Sequence, residues 1–166
     1  NENAGEELKN SFQVAVNAFS FDNPEIFYVD ITKMYLLTEI ITKPFSTTYS
    51  VSIGPNGSNY LYEEYTNEID VNSAINQVNQ IRDTIIQNAE GNTYDKIKYV
   101  HDYLIENTEY EKNIDSHNNY NIYGALLKQK AVCEGYANAF KYILDGMDIP
   151  CFVVCGIATN SSDETE

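Results

Sequence analysis

The stretch KAVCEGYANAF (residues 130–140) places one cysteine, Cys133, where a tight connection runs into an amphipathic helix. At the first turn of a helix the backbone N–H groups lack partners and the macrodipole is positive, so the thiolate is favoured over the thiol. The same N–H groups can stabilise an oxyanion. This position predicts a nucleophilic thiol. The helix that follows is indicated by apolar residues at helical spacing: Tyr136, Phe140, Ile143, Leu144 and Met147.

The residues alone also allow a simpler role for Cys133, since a lone cysteine is commonly a small buried hydrophobe. Gly135 would let a substrate backbone approach the first turn, whereas the carboxylate of Glu134 disfavours a neighbouring thiolate. A cysteine nucleophile needs a base. His101 falls within the apolar stripe of its helix and is interpreted as structural, and His117 lies in a polar loop and is interpreted as solvated. Nucleophile and packing residue both remain open at this point.

The composition limits the classes of partner. The chain has 166 residues, 43% of them hydrophobic and 21% charged, which is typical of one packed domain or a small core with an appended subdomain. Its net charge of -15 argues against nucleic-acid and anionic-membrane partners, because both require basic patches. No apolar run approaches the roughly 20 residues of a membrane span.

The three cysteines do not form a disulfide framework. Cys151 and Cys155 lie in the strand-like run CFVVC, where four strand steps separate their Cα atoms by about 13 Å. A disulfide needs Cα atoms about 4.4–6.8 Å apart. With two histidines and no CxxC motif, a zinc site is not predicted either.

The N-terminal half combines one helix with a small sheet. Apolar spacing predicts a helix over residues 5–19, and two β-rich runs cover 34–42 and 46–54. PNGS (55–58) is a strong hairpin-turn signal that leads into NYLYEEYT. We expect a small antiparallel sheet here.

The C-terminal half is mainly helical. Asp70 is the predicted cap of a helix that ends near Gly91, and a second helix is predicted over 94–107. NIYGALL (121–127) predicts a short helical turn before the cysteine helix. CFVVCGIA (151–158) is apolar on both faces, as in a strand buried in the middle of a sheet.

Two segments carry a family resemblance: YDKIKYVHDYLIENTEYE (94–111) and NIYGALLKQKAVCEGYANAFKYILDGMDIPCFVVCGIA (121–158). Together they resemble the bacterial branch of the transglutaminase-like superfamily. Its members carry an IHDYL helix, a YGALV turn and the nucleophile in GKAVCEGYA. The likeness runs from about Tyr94 to Thr159 in unbroken order.

The resemblance implies an α+β fold with a partial papain-like core, in which the cysteine helix packs on an antiparallel sheet. Residues 91–166 would form the N-terminal half of that core, and residues 1–90 an accessory region with a helix and a small antiparallel sheet. It also implies acyl transfer through a thioester with a Cys–His–Asp triad. By position Cys133 is the nucleophile, and Tyr123 and Tyr136 flank it as packing or substrate-binding residues.

The chain departs from the family pattern in two ways, and each departure leads to an expectation. The family places its triad histidine and aspartate after the strand at 151–158, and the chain ends at Glu166 before either segment. The 166-residue piece is therefore expected to be inactive by itself. In addition, Gln129 stands where the family usually has glycine. If that turn needs a positive φ, Gln129 costs on the order of 1 kcal/mol.

The sequence thus predicts a transglutaminase-like cysteine enzyme that crosslinks proteins or hydrolyses peptides. The alternative is a non-catalytic module with the same fold that binds proteins or associates with the cell wall. No cofactor and no metal are expected, and the partner would be a protein or peptide. The composition and the absence of an initial Met suggest a secreted or cell-surface protein of a Gram-positive-type bacterium.

Overall fold

The structure, a computed structural model, describes residues 2–112 and 115–156. About 56% of the chain is helical and 17% is strand, which confirms the predicted α+β class. Short 3₁₀ turns join several of the helices and strands. In chain order the helices and strands are α1 Glu2–Asp22, β1 Met34–Lys43, β2 Ser46–Pro55, α2 Glu68–Asn88, α3 Thr93–Asn107, β3 Glu109–Tyr110, β4 Lys130–Ala131 and α4 Cys133–Asp145.

The two predicted N-terminal strands form an antiparallel hairpin, with Lys43 opposite Ser46 next to the connection. The predicted hairpin turn at PNGS (55–58) is wrong. Although Gly57 adopts a φ of 116°, the chain beyond it does not return along β2. It pairs briefly with the segment before β1, where the Asp30 N–H donates to the Tyr60 carbonyl at 2.7 Å. The chain bends at 56–58, but the segment that follows pairs with residues before β1 and not with β2.

Opposite residues in the hairpin register share a face, and one of the two faces is apolar. Leu36 lies opposite Ile53, and Ile40 lies opposite Tyr49. Ile40, Tyr49 and Ile53 are all exposed. This apolar face is therefore largely uncovered by the described residues, although α1 lies beside the start of β1.

Side-chain caps fix where α2 and α3 begin. The predicted cap Asp70 is wrong, because Asn67 is the N-cap and accepts from the N–H groups of Ile69 and Asp70. The Asp70 carboxylate instead accepts from Thr66, which lies before the helix. Asn92 caps α3 in a capping box. The predicted span of α3 is confirmed.

Helix α4 supplies the centre of the hydrophobic core. Ala139 and Ile143 are fully buried there, beside Val78 and Ile85 of α2 and Val100 of α3. Within the described residues, α4 therefore packs mainly against helices and helical turns. The hydrophobic core contains residues from before and after position 90, so the predicted regions 1–90 and 91–166 share one core. Their division into an accessory region and a core domain stays a prediction.

The predicted buried strand over 151–158 is wrong for its described part. Residues 151–156 form no strand, and Phe152 and Val154 are 81% and 87% exposed. A strand needs a neighbouring ladder to become buried, and no described segment pairs with this one. Residues 157 and 158 lie outside the described residues. Within the described ranges, none of the helices has the length and apolarity required to cross a bilayer.

Candidate functional site

A tight turn delivers the chain to the start of α4. Residues Gly124–Lys128 form a π-helical turn that ends at Gln129, whose φ of 56° and ψ of 33° are left-handed. The expectation that this turn needs a positive φ is confirmed. Gly124 admits no side chain, because a Cβ there would lie 1.8 Å from the backbone oxygen of Asn118. The turn is followed by β4, which pairs in parallel with β3.

Cys133 is the first residue of α4, and its side chain is exposed. The residue before it, Val132, is extended and donates its N–H to the carbonyl of Asn119 at 2.9 Å. No side chain caps this helix end. Its first N–H groups are therefore available to an anion, while the 117–120 turn holds the entry to the helix in place.

Gly135 does not have the role that the sequence suggested. It is buried, and a Cβ on it would lie 2.5 Å from the Asn119 oxygen and 2.9 Å from the Cβ of Ala131. The missing side chain therefore allows the 117–120 turn to pack on α4, and it does not open the helix to a substrate.

The two tyrosines predicted beside the cysteine are both half-buried. Tyr123 stacks on Phe27 with ring centroids 5.7 Å apart. The hydroxyl of Tyr136 donates to the Thr108 carbonyl, and burial, followed by the charge of Glu109, raises its pKa. Both side chains make packing contacts of this kind, and their contact with a substrate stays a prediction.

The histidines lie in environments opposite to those predicted. His101 is not in the apolar stripe, since its side chain is 61% exposed and its Nδ1 lies 3.0 Å from Asp102 Oδ1. His117 is not freely solvated, because its ring stacks on Tyr62 with centroids 3.7 Å apart. Its Nε2 lies 2.8 Å from Glu64 Oε1 without the alignment of a hydrogen bond.

A small cavity of about 90 Å³ lies behind the first turn of α4. Its lining includes Glu134, Asn138, His117, Tyr62 and Phe27. Burial raises the pKa of Glu134, and burial together with nearby carboxylates raises the pKa of Tyr62 to about 12. Sequence reasoning treated Glu134 only as a neighbour of the thiol. The i, i+4 spacing of Glu134 and Asn138 could have placed both on one helix face.

The described residues contain no group of three or more His, Cys, Asp or Glu side chains that could hold a metal ion. All three cysteines are free thiols, and burial is the main cause that raises the pKa of Cys151. The chemistry offered by this part of the molecule is therefore that of an exposed thiol at a helix N-terminus, beside a partly enclosed polar cavity.

Comparison with known protein families finds one match that includes the cysteine helix. A family model described as the transglutaminase-like superfamily matches residues 79–165, about half of the chain. The match covers the last part of α2, all of α3 and α4, and Cys133. A search of curated proteins finds no match to the chain.

Proposed function

The chain belongs to the transglutaminase-like superfamily, and on that premise we propose that Cys133 is the nucleophile of a cysteine enzyme acting on amide or peptide bonds. The single observation that carries the proposal is the exposed thiol at the first residue of α4, at a helix end without a side-chain cap. The proposed partner is a protein or peptide. A secreted or cell-surface location belongs to the same proposal.

In the proposed reaction, Sγ of Cys133 attacks the carbonyl carbon of the amide. The carbon–nitrogen bond breaks, the amine leaves with a proton, and a thioester forms. Water or a second amine then attacks the thioester and releases the thiol, giving hydrolysis or crosslinking. The N–H groups of the first turn of α4 would stabilise the oxyanion in both steps.

The reaction also requires a base to take the thiol proton. The two described histidines are engaged elsewhere, His101 with Asp102 and His117 with Glu64 and Tyr62. We therefore assign the base to neither of them. Cys133 is the only residue to which the proposal gives a chemical step.

Alkylation with iodoacetamide tests the thiol, and the chain offers a matched control. Cys133 and Cys155 are both exposed, but only Cys133 lies at a helix N-terminus. We expect iodoacetamide at neutral pH to modify Cys133 about tenfold faster than Cys155, as followed by peptide mass spectrometry, because a helix N-terminus favours the thiolate. Equal rates at the two exposed thiols would overturn the assignment.

Turnover tests the reaction itself. Because the 166 residues alone are expected to be inactive, the assay uses a version of the protein long enough to supply the triad histidine and aspartate. It is incubated with a glutamine-containing peptide, with and without a fluorescent primary amine, while ammonia release and amine incorporation are measured. We expect activity that Cys133→Ala abolishes and Cys155→Ala leaves intact. Activity that survives Cys133→Ala would refute the nucleophile.

A non-catalytic module that binds proteins is the second candidate, and the exposed apolar face of the β1–β2 hairpin favours it. For this module we expect no difference in alkylation between Cys133 and Cys155 and no turnover. The same two measurements therefore decide between the candidates.

A further inference from the structure

Asn56 is the one asparagine in the sequence that is followed directly by glycine. The backbone nitrogen of the residue after an asparagine can reach the side-chain Cγ, because the two atoms close a five-membered ring. A side chain on that next residue hinders the approach, and glycine has none. Asparagine is also one of the thermolabile residues of proteins. The sequence therefore puts an unhindered nitrogen next to the Asn56 amide.

The structure leaves the backbone nitrogen of Gly57 accessible. Residues 56–58 are exposed and form the bend that follows β2. Apart from the chain neighbours of Gly57, no described heavy atom lies within 4 Å of the point where its Cβ would be. Within the described ranges, the Gly57 N–H donates to no acceptor. Neither packing nor a hydrogen bond therefore opposes the approach of this nitrogen to Cγ of Asn56.

The chain is anchored on both sides of this bend. Before it, the Asn56 N–H donates to the Lys33 carbonyl at 2.8 Å, and Nδ2 of Asn56 donates to the Tyr35 hydroxyl at 3.3 Å. After it, the Tyr60 carbonyl accepts from the Asp30 N–H at 2.7 Å. The bend thus joins two fixed points, and a change in its length would act on both of them.

We propose that Asn56 is a site of spontaneous deamidation, in which the backbone nitrogen of Gly57 attacks Cγ of Asn56. The new N–Cγ bond closes a succinimide ring, the Cγ–Nδ2 bond breaks, and Nδ2 leaves as ammonia with the proton of the attacking nitrogen. Water then opens the ring at either carbonyl and gives aspartate or isoaspartate. The sum consumes one water and releases one ammonia. Neither Cys133 nor a substrate takes part, so the inference goes beyond the proposed function.

The products change the connection between the hairpin and the segment after it. Both add one negative charge to a chain that carries -15. Isoaspartate also carries the main chain through its side chain, so one extra methylene enters the backbone between the anchored Asn56 N–H and Tyr60. We expect this longer link to weaken the hydrogen bond from the Asp30 N–H to the Tyr60 carbonyl.

Incubation of the folded wild-type protein at mildly alkaline pH tests the reaction, with ammonia release and peptide fragmentation spectra as readouts. Asn59 is the internal control, because it is exposed on the same segment but is followed by Tyr60. We expect Asn56 to convert at least tenfold faster than Asn59, since glycine leaves its nitrogen unhindered. Both isoaspartate and aspartate should form, because only a ring opens at two carbonyls. Equal rates at the two asparagines, or aspartate as the only product, would overturn the proposal.

Amide hydrogen exchange tests the effect on the connection. The Asp30 amide should exchange at least tenfold faster in the isolated isoaspartate form than in the asparagine form, because local opening becomes easier. The matched control is Asn56→Asp, which carries the added charge without the extra methylene and should exchange as the wild type does. Equal exchange in all three proteins, or fast exchange in Asn56→Asp, would refute the proposed lengthening effect.

A second variant tests the ring itself. Asn56→Gln keeps the amide but would require a six-membered ring, and it should release no ammonia from position 56 over the time in which the wild type converts. Conversion of Gln at this position at the wild-type rate would contradict the attack by the Gly57 nitrogen.

Discussion

The substitution Gly135→Ala, two residues after Cys133, has two opposing effects on the free energy of unfolding, one from helix propensity and one from packing. Alanine is favoured over glycine inside a helix by about 1 kcal/mol. The added Cβ, however, would lie 2.5 Å from the Asn119 oxygen, which is backbone and cannot move as a side chain does. Overpacking of this kind costs about 1–3 kcal/mol. Displacing the Asn119 carbonyl also breaks the hydrogen bond that it accepts from the Val132 N–H, which costs about 1–3 kcal/mol.

The balance is a net loss of about 3 kcal/mol in the free energy of unfolding. Urea denaturation measures it directly, and for a chain of this size the melting temperature should fall by about 6–12 °C. Ala137→Gly on the same helix is the matched control, and it should cost about 1 kcal/mol through propensity alone. If Gly135→Ala instead raises stability by about 1 kcal/mol, propensity dominates and the close packing of the 117–120 turn on α4 is refuted.

Three other substitutions test separate features. Gln129→Gly should raise the unfolding free energy by about 0.5–1 kcal/mol in urea, because glycine adopts the left-handed φ of 56° without strain, and a loss of stability would contradict this. Ile143→Ala should cost about 2–5 kcal/mol in the same assay, whereas the 79% exposed Ile69→Ala should change little; equal effects would contradict the assigned core. For Glu134, burial raises the folded-state pKa above the unfolded value, so the folded state binds the proton more tightly and the wild type should lose stability as pH rises from about 4 through that pKa. Glu134→Gln should remove this loss, and parallel pH–stability curves for the two proteins would contradict it.

Local signals predicted the helices well. Asn92 and Asp95 form a capping box directly before an apolar stripe, so the start of α3 could be recognised from residues that lie next to each other. The same holds for the cysteine helix, because apolar residues at helical spacing follow Cys133 directly. His101 was assigned to the wrong face because it directly follows the buried Val100. One residue corresponds to a rotation of about 100° around a helix, and His101 therefore points to solvent.

Features that depend on distant partners could not be predicted in this way. The apolar pattern of residues 151–156 is that of a strand, but a pattern does not create the neighbouring strands that would bury it. The cavity behind Cys133 needs Tyr62 and His117, which lie far from Glu134 in sequence and meet it only through tertiary packing. The position of the thiol was therefore accessible from the sequence, and the surroundings of its helix end were not.

The hairpin has a consequence for how the protein behaves in solution. Strands β1 and β2 together contain one acidic and one basic side chain, Glu39 and Lys43, whereas the whole chain carries a net charge of -15. In dilute buffer the Debye length is about 30 Å at 0.01 M, so mutual repulsion keeps molecules apart. At 1 M salt the Debye length falls to about 3 Å. The apolar hairpin faces of different molecules can then come into contact. We expect concentrated salt to lower the solubility of this protein and dilute buffer to preserve it.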